Sequence, residues 1–223
     1  ETPSNEQERI EKPEQRNETN RGTTIEEQSV EYKVLSAKVQ QEFTKSVKQF
    51  NRLYENELRN NLQKNFSNES KKKMQFELDR LNEINAFSFE ANLNQYLLGQ
   101  HDFSKIKYLN QATTFNANHP QVQIQWAAYH FIQKNEAALI PNLKGIEQSA
   151  FFNTELYWYA KDVLASLPKN AMLITHGYAD TYPLLIQQFI YHFRKDVRII
   201  NLDFLTNEEM CKQLESLGWT LPK

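Results

Sequence analysis

The sequence predicts a mainly α-helical protein that ends in a small α/β unit. From Val30 onward, large apolar residues recur at spacings of three or four, as they do on one face of an α-helix. Only 5 glycines and 39% hydrophobic residues occur among the 223, with many Gln, Asn, Glu and Lys residues, which favours helices over sheets. Two short apolar runs, residues 172–175 and 197–202, flank a helix-length segment and therefore predict parallel strands in a βαβ unit.

Net charge, cysteine content and the length of apolar runs limit the kinds of partner and cofactor that we predict for this chain. The net charge of −2 at pH 7 and the pI near 6.3 give no field that recruits nucleic acid, so we predict no nucleic-acid partner. Cys211 is the single cysteine, which excludes an internal disulfide and a cysteine-based zinc cluster, and we predict no cofactor. No apolar run reaches the length of a membrane span. Because the chain begins at Glu1, we expect a processed protein or a fragment whose missing N-terminal part can hold a membrane tether.

The chain is predicted to have three segments: a disordered tether over residues 1–28, a helical repeat domain over 29–168, and a βαβα unit over 169–223 packed on the helices. Residues 1–28 contain no aromatic residue, and Ile10 and Ile25 are their large apolar residues. Such a segment buries too little surface to offset its ordering entropy. A frayed tail without a role is the alternative.

The helical domain opens with a long helix from Val30 to Leu62. Its apolar stripe consists of Leu35, Val39, Phe43, Val47, Phe50, Tyr54, Leu58 and Leu62. The polar run over residues 65–68 ends this helix, and a second helix is predicted from Lys71 to Ile84. A later helix over residues 151–167 is rich in aromatic residues, which indicates core packing, with an exposed partner-binding patch as the alternative.

Residues 88–147 have the character of helical repeats. One predicted pair of helices covers residues 89–99 and 102–112, and a second, weaker pair covers 122–131 and 138–146, the last interrupted by Pro141. The first pair resembles a tetratricopeptide-type hairpin, with a small-residue turn, an Asp102–Phe103 pair and a proline-marked exit at Pro120. Ile106 stands where that family uses a small residue, and generic antiparallel helices are the alternative.

In the βαβα unit, Asp180 or Thr181 is predicted to cap the helix between the strands, with Pro183 in its first turn and Arg194–Lys195 at its end. Residues 206–209 have the pattern of a capping box that opens the last helix.

A candidate site lies where the two predicted strands end, because ligands of open α/β sheets bind beyond the carboxyl ends of parallel strands. His176 with Asp180 or Asp203 would form a general acid–base pair or part of a metal site, and His176 and Asp180 are the catalytic candidates. The alternative is structural, with a turn at Gly177, a helix cap and two residues closing a strand. The full set of candidates is His176, Gly177, Tyr178, Asp180, Thr181, Asn201 and Asp203.

Residues 167–217 carry a more specific resemblance. The matching positions are Leu167, Pro168, Asn170, Ala171, Leu173, Thr175, Gly177, Asp180, Thr181, Pro183, Leu184, Asp196, Val197, Arg198, Asn201, Leu202, Leu205, Lys212, Gln213 and Leu214. This block resembles a soluble block of bacterial envelope proteins of unknown function that are related to membrane protein O-mannosyltransferases. The family's Asn-Gly-Asp-Asn-Asp is residues 176–180 here, with Tyr178 and Ala179 replacing two polar residues. The resemblance implies an envelope accessory module and not a transferase.

These observations favour a non-catalytic protein-interaction or scaffold module of a bacterial cell envelope, periplasmic or envelope-associated, or a subunit of a larger assembly. A two-stranded parallel sheet is too small to stand alone, so it must pack on helices or gain strands from another chain, which predicts a protein partner. The alternative is a ligand-binding or hydrolytic domain that uses residues 176–181. A cytoplasmic location stays open.

Overall fold

The computed structural model describes residues 25–60 and 65–220, with side chains from Ser36 onward. Helices dominate the described residues, and a two-stranded parallel sheet lies near the C-terminus, which confirms the predicted fold class. The elements are α1 Ile25–Asn60, α2 Asn68–Asn85, α3 Phe89–Leu97, α4 Ile106–Phe115, α5 Pro120–Ile132, α6 Glu136–Gln148, α7 Thr154–Ser166, β1 Met172–Thr175, α8 Gly177–Phe189, β2 Arg198–Asn201 and α9 Glu208–Glu215. Short 3₁₀ segments cover Phe103–Lys105 and Leu202–Thr206.

Among the described residues, those from Val39 onward form one compact unit, and residues 25–38 belong to a separate one. Most of the predicted tether, residues 1–24, lies outside the described residues, and residues 25–28 belong to α1. The predicted boundary at residue 168 between a helical domain and a βαβα unit stays a prediction. All the contacts below lie in the unit that begins at Val39.

Two hydrophobic clusters fill the interior of this unit. The first joins α1 to α5 and includes Phe50, Tyr54, Met74, Leu78, Tyr96, Leu109 and Val122. The second joins α5 to α9 with both strands and includes Ile124, Leu139, Leu143, Tyr182, Leu185, Ile200, Phe204 and Leu214. Helix α5 contributes to both clusters, and the half-buried ring of Tyr178 packs against both. The small α/β unit is therefore supported by packing against helices, as a sheet of two strands requires.

The middle helices pack in consecutive pairs, α3 with α4 and α5 with α6. The prediction that Pro141 interrupts the second pair is wrong, because α6 continues from Glu136 through Pro141 to Gln148. Proline lacks the N–H that would bond to the carbonyl of Ala137, but Ala137 is exposed and water can satisfy that carbonyl. The tetratricopeptide-type assignment stays a prediction.

The two strands are parallel, with Met172 paired to Arg198 and Thr175 paired to Asn201, as predicted. The bounds of the helix between them differ from the prediction: α8 begins at Gly177 and ends at Phe189, before Arg194 and Lys195. Asp180 therefore lies in the first turn as a charge near the positive helix end, and neither Asp180 nor Thr181 caps the helix.

The start of the last helix also differs from the predicted capping box. Asn207, one residue after the expected Thr206, caps α9 by accepting the N–H groups of Glu209 and Met210. The hydroxyl of Thr206 instead donates to the carbonyls of Gln100 and Asp203. A tertiary contact has therefore taken the hydroxyl that the local sequence pattern assigned to the cap.

Arg194 fastens the end of α7 to the segment that leads into β2. Its guanidinium donates to the carbonyl of Leu164 in the last turn of α7 at 2.6 Å, and to the carbonyls of Leu167 and Pro168 just beyond the helix at 2.9 and 2.8 Å. It also pairs with both carboxylate oxygens of Asp196, at 2.8 and 3.0 Å. This bidentate geometry fixes the direction of the guanidinium.

The first prediction concerns the pH dependence of this contact. The bond from Arg194, followed by the N–H of Asn170, holds the pKa of Asp196 well below its usual range. A carboxylate with a depressed pKa contributes stability above its unfolded-state pKa, about 3.9, and loses it as the pH falls below that value. We therefore expect Asp196→Asn to lower the free energy of unfolding at pH 7, with the deficit shrinking as urea titrations move from pH 5 toward pH 2. Asp79→Asn, an exposed carboxylate on α2, is the control; a deficit that stays constant with pH would contradict the prediction.

The second prediction concerns two asparagine caps. Asn207 caps α9, and its Nδ2 also donates to the carbonyl of His101 at 2.8 Å in the interior. Asn153 is exposed and caps α7 by accepting the N–H of Leu156. Asn207→Ala should cost about 2 kcal/mol and Asn153→Ala about 1 kcal/mol, because the first loses a buried hydrogen bond as well as a cap. Chemical denaturation of both variants measures the difference, and equal losses would count against it.

Candidate functional site

His176 and Asp203 meet at the carboxyl ends of the two strands. His176 follows β1 directly, and Asp203 lies two residues beyond β2. Nε2 of His176 is 3.2 Å from Oδ1 of Asp203, and the N–H of Gly177 donates to the other oxygen, Oδ2, at 2.8 Å. The pairing of His176 with Asp203, one of the two predicted alternatives, is therefore the one that the structure brings together.

The carboxylate of Asp203 is mostly enclosed, with 17% of its side chain exposed. Burial raises the pKa of Asp203, and the N–H of Gly177, the charge of His176 and Asn201 oppose that shift. The backbone N–H of Gly177 is the hydrogen-bond donor to Asp203, and Nε2 of His176 lies within ion-pair distance of the same carboxylate. The carboxylate thus holds the start of α8 and lies against the imidazole ring.

A buried network of hydrogen bonds lies next to the His176–Asp203 pair and joins α8 to both strands. The hydroxyl of Thr181 donates to the carbonyl of Gly177 at 2.8 Å and lies 2.9 Å from the hydroxyl of Thr175. Nδ2 of Asn201 donates to the hydroxyl of Thr181 at 2.5 Å, and Oδ1 of Asn201 accepts the N–H of Asp203. Thr181 and Asn201 are therefore committed to joining α8 to both strands and do not face a ligand.

Tyr178 turns away from this pair. Its hydroxyl lies 2.6 Å from the hydroxyl of Tyr54 on α1 and accepts Nε2 of Gln125 on α5 at 3.0 Å. Burial raises the pKa values of both Tyr178 and Tyr54, so both hydroxyls stay neutral. Tyr178 is a structural bridge between three helices. Sequence reasoning missed these contacts, because the apolar stripe of α1 predicts that Tyr54 is buried but not what its hydroxyl contacts, and no sequence signal marks Gln125.

Asp180 is exposed and lies at a cavity of about 270 Å³ beside His176. Apolar side chains supply most of the cavity wall, which includes Tyr159, Val163, Leu173, Ile174, Leu184 and Leu202. A histidine oriented by a carboxylate beside a cavity is an arrangement used in general-base catalysis. Here, however, the N–H of Gly177 at the helix start is already bonded to Asp203, so it offers no donor to a reacting oxygen. The geometry favours a structural tie, with ligand binding as the second interpretation.

A metal-binding cluster and a membrane-spanning helix are not found in the described ranges, residues 25–60 and 65–220. No cluster of three or more His, Cys, Asp or Glu side chains there is placed to hold a metal ion. No helix in the same ranges is long and apolar enough to cross a membrane.

Large exposed apolar side chains occur on α7, on β1 and after α8. We call Trp158, Tyr159, Met172, Ile174 and Tyr191 the docking surface; their exposed fractions are 69, 63, 48, 56 and 57%. Tyr159 and Ile174 line the cavity beside His176, whereas Trp158 and Tyr191 line a second cavity of about 570 Å³. Because residues 158 and 159 are neighbours on α7, that helix forms a shared wall. The aromatic helix thus contributes to the core through its other face and leaves two large rings in solvent.

The backbone of β1 is open along one edge. The N–H of Arg198 donates to the carbonyl of Ala171, and with the observed register this directs the polar backbone groups of Leu173 toward β2. The N–H and C=O groups of Met172 and Ile174 therefore point away from β2. Within the described part of the chain, the sheet has no third strand. The outer edge of β1 therefore presents the backbone N–H and C=O groups of Met172 and Ile174, and the side chains of the same two residues are exposed.

The C-terminal part of the chain is similar to a family of known proteins. Residues 156–217 match a family model described as TMEM260-associated domain 2. The match includes the block over residues 167–217 that resembles proteins related to O-mannosyltransferases, and it extends into α7. No curated protein and no solved structure was found to match the chain. The match spans a little over a quarter of the sequence, so it relates the C-terminal part to this family and leaves the other helices unassigned.

The third prediction tests the role of Tyr178. Tyr178→Phe removes the oxygen that Gln125 and Tyr54 share, and it leaves the buried amide of Gln125 without this partner, which should cost about 1–3 kcal/mol. Tyr96→Phe is the matched control, because the hydroxyl of Tyr96 is buried without a hydrogen bond and its loss should be neutral or stabilising. Urea denaturation distinguishes the two, and a neutral Tyr178→Phe would show that the bridge contributes nothing to stability.

Proposed function

We propose that the chain is a non-catalytic protein-interaction module whose partner binds the docking surface. The observation that carries this proposal is the open edge of β1 with its exposed side chains Met172 and Ile174, together with exposed aromatic rings on α7, of which Tyr159 shares a cavity with Ile174. Exposed apolar patches of this kind mark protein interfaces, and large aromatic rings are enriched at interface centres. The aromatic rings would anchor the partner, since such residues supply much of the binding energy at small interfaces.

An extended segment of the partner is the form that suits this surface. Strand addition supplies main-chain hydrogen bonds to an open edge, and alternate side chains of the added strand then meet the face of the sheet. The outward-pointing backbone groups of Met172 and Ile174 provide the edge, and their side chains provide the apolar face. An added strand would also enlarge a sheet that is small at two strands.

The setting we propose is the bacterial cell envelope, with the module periplasmic or envelope-associated and serving a larger assembly. The support is the resemblance of residues 167–217 to envelope proteins and the match of residues 156–217 to TMEM260-associated domain 2. The paired helices α3 to α6 would act as a tetratricopeptide-like scaffold that carries the α/β unit.

The ligand-binding interpretation rests on the His176–Asp203 pair beside its cavity. The two proposals differ in the substitution that should abolish function. A ligand site at the strand ends depends on His176, whereas docking on α7 and β1 does not.

The fourth prediction separates these proposals. Tagged protein captured from solubilised envelopes should retain one or two stoichiometric partners by mass spectrometry. Ile174→Lys should abolish that capture, because a charged edge residue opposes strand pairing, and Trp158→Ala should weaken it at least tenfold. Phe87→Lys makes the same kind of change at an exposed residue outside the docking surface and should leave capture intact.

His176→Ala serves as the discriminating variant. Unchanged partner capture by His176→Ala supports the interaction module. A monomeric wild-type protein without a partner, or a partner that survives Ile174→Lys, would contradict that proposal and favour a ligand bound beside His176.

A further inference from the structure

A third cavity, of about 380 Å³, lies between α5, α6, α8, β2 and α9. None of the residues of the docking surface lines it, and neither His176 nor Asp203 does. Its volume falls within the range of small-molecule pockets, about 300–1,000 Å³. The cavity therefore stands apart from both surfaces discussed above.

The buried and exposed parts of the cavity differ in chemistry. The buried lining is apolar and consists of Leu139, Ile199, Ile200, Met210 and Leu214. The exposed lining carries the charges, with Lys134, Glu136 and Arg198. An apolar interior with a polar entrance is the arrangement that encloses the apolar part of an amphiphile and leaves its head group near water.

The charge at the entrance is unbalanced. Glu136 is paired with Lys195 at 2.9 Å. Among the described residues, neither Lys134 nor Arg198 has an ion pair with a carboxylate. Two cations thus remain at the entrance without an acidic partner, which favours an anionic group there.

The backbone at Lys134 adds a further observation. Lys134 has φ +54°, a left-handed conformation that usually belongs to glycine or asparagine at the end of a helix. A lysine there carries a conformational cost that glycine would avoid. Asparagine, which adopts this conformation readily, is therefore a substitution that removes the charge of Lys134 without disturbing the backbone.

We propose that this cavity binds an amphiphile with a single anionic group, a medium-chain alkyl carboxylate or its equivalent. The alkyl chain occupies the apolar interior between Leu139, Ile200 and Leu214. The carboxylate lies at the entrance, where Lys134 and Arg198 supply the opposite charge. The proposal does not depend on the docking surface, because the two share no residue.

The test is a calorimetric titration of the full chain with hexanoate, octanoate, decanoate and dodecanoate, which measures the affinity of each. Affinity should rise about fourfold for each added methylene until the cavity is full, and then level off. Decanol and decylammonium are the controls for charge, and decanoate should bind more tightly than either. Absence of dependence on chain length would overturn the apolar site, and equal binding of the three decyl compounds would overturn the anionic part.

Two variants and one spectrum locate the bound molecule. Lys134→Asn keeps the left-handed backbone and Arg198→Gln keeps the strand; each should weaken decanoate about two- to fivefold while leaving decanol unchanged. Both positions are exposed, so folding should survive, and thermal melts check this.

In methyl NMR spectra, signals of Leu139, Ile199 and Met210 should shift with decanoate, whereas Val163 and Leu173, which line the cavity beside His176, should not. Shifts at Val163 and Leu173 instead would place the amphiphile elsewhere and overturn the proposal.

Discussion

The C-terminal part of this protein depends on how one arginine satisfies the end of a helix. Helix α7 ends at Ser166, and a short turn over residues 167–171 leads into β1. Arg194, almost thirty residues later, donates to the carbonyl of Leu164 in the last turn of α7 and to those of Leu167 and Pro168 just beyond it, and it holds Asp196 with its remaining N–H groups. Because Asp196 in turn accepts the N–H of Asn170, the approaches to β1 and β2 are tied together before either strand begins.

Helix α7 has one buried face and one exposed face. It packs along α8, and Ala160 and Leu164 enter the second cluster. Trp158 and Tyr159 lie in solvent, and Tyr159 lines a cavity together with Ile174 of β1. The helix whose end Arg194 contacts therefore also presents two large aromatic rings to solvent.

Tyr178 links the strand ends to the helices. It follows β1 by three residues, and its hydroxyl reaches Tyr54 on α1 and Gln125 on α5. The position therefore connects the α/β unit to the helices around it. His176 and Asp203 lie together beside the cavity, whereas Thr181 and Asn201 are used in joining α8 to the strands.

The sequence alone determined the fold class and the parallel pairing of the two strands, and it placed His176 and Asp203 at the same edge; the structure chose Asp203 over Asp180 as the partner of His176. These follow from local periodicity and from the rule that parallel strands present their carboxyl ends at one edge. Tertiary contacts decided the rest. Asp203 supplies an external acceptor to the N–H of Gly177, and α8 begins four or five residues earlier than a cap at Asp180 or Thr181 would indicate. Thr206 donates to Gln100, so Asn207 takes the cap of α9. Hydrogen-bond partners far apart in sequence leave no periodic trace, which is why neither the bridge from Tyr178 nor the contacts of Arg194 were predictable from the sequence.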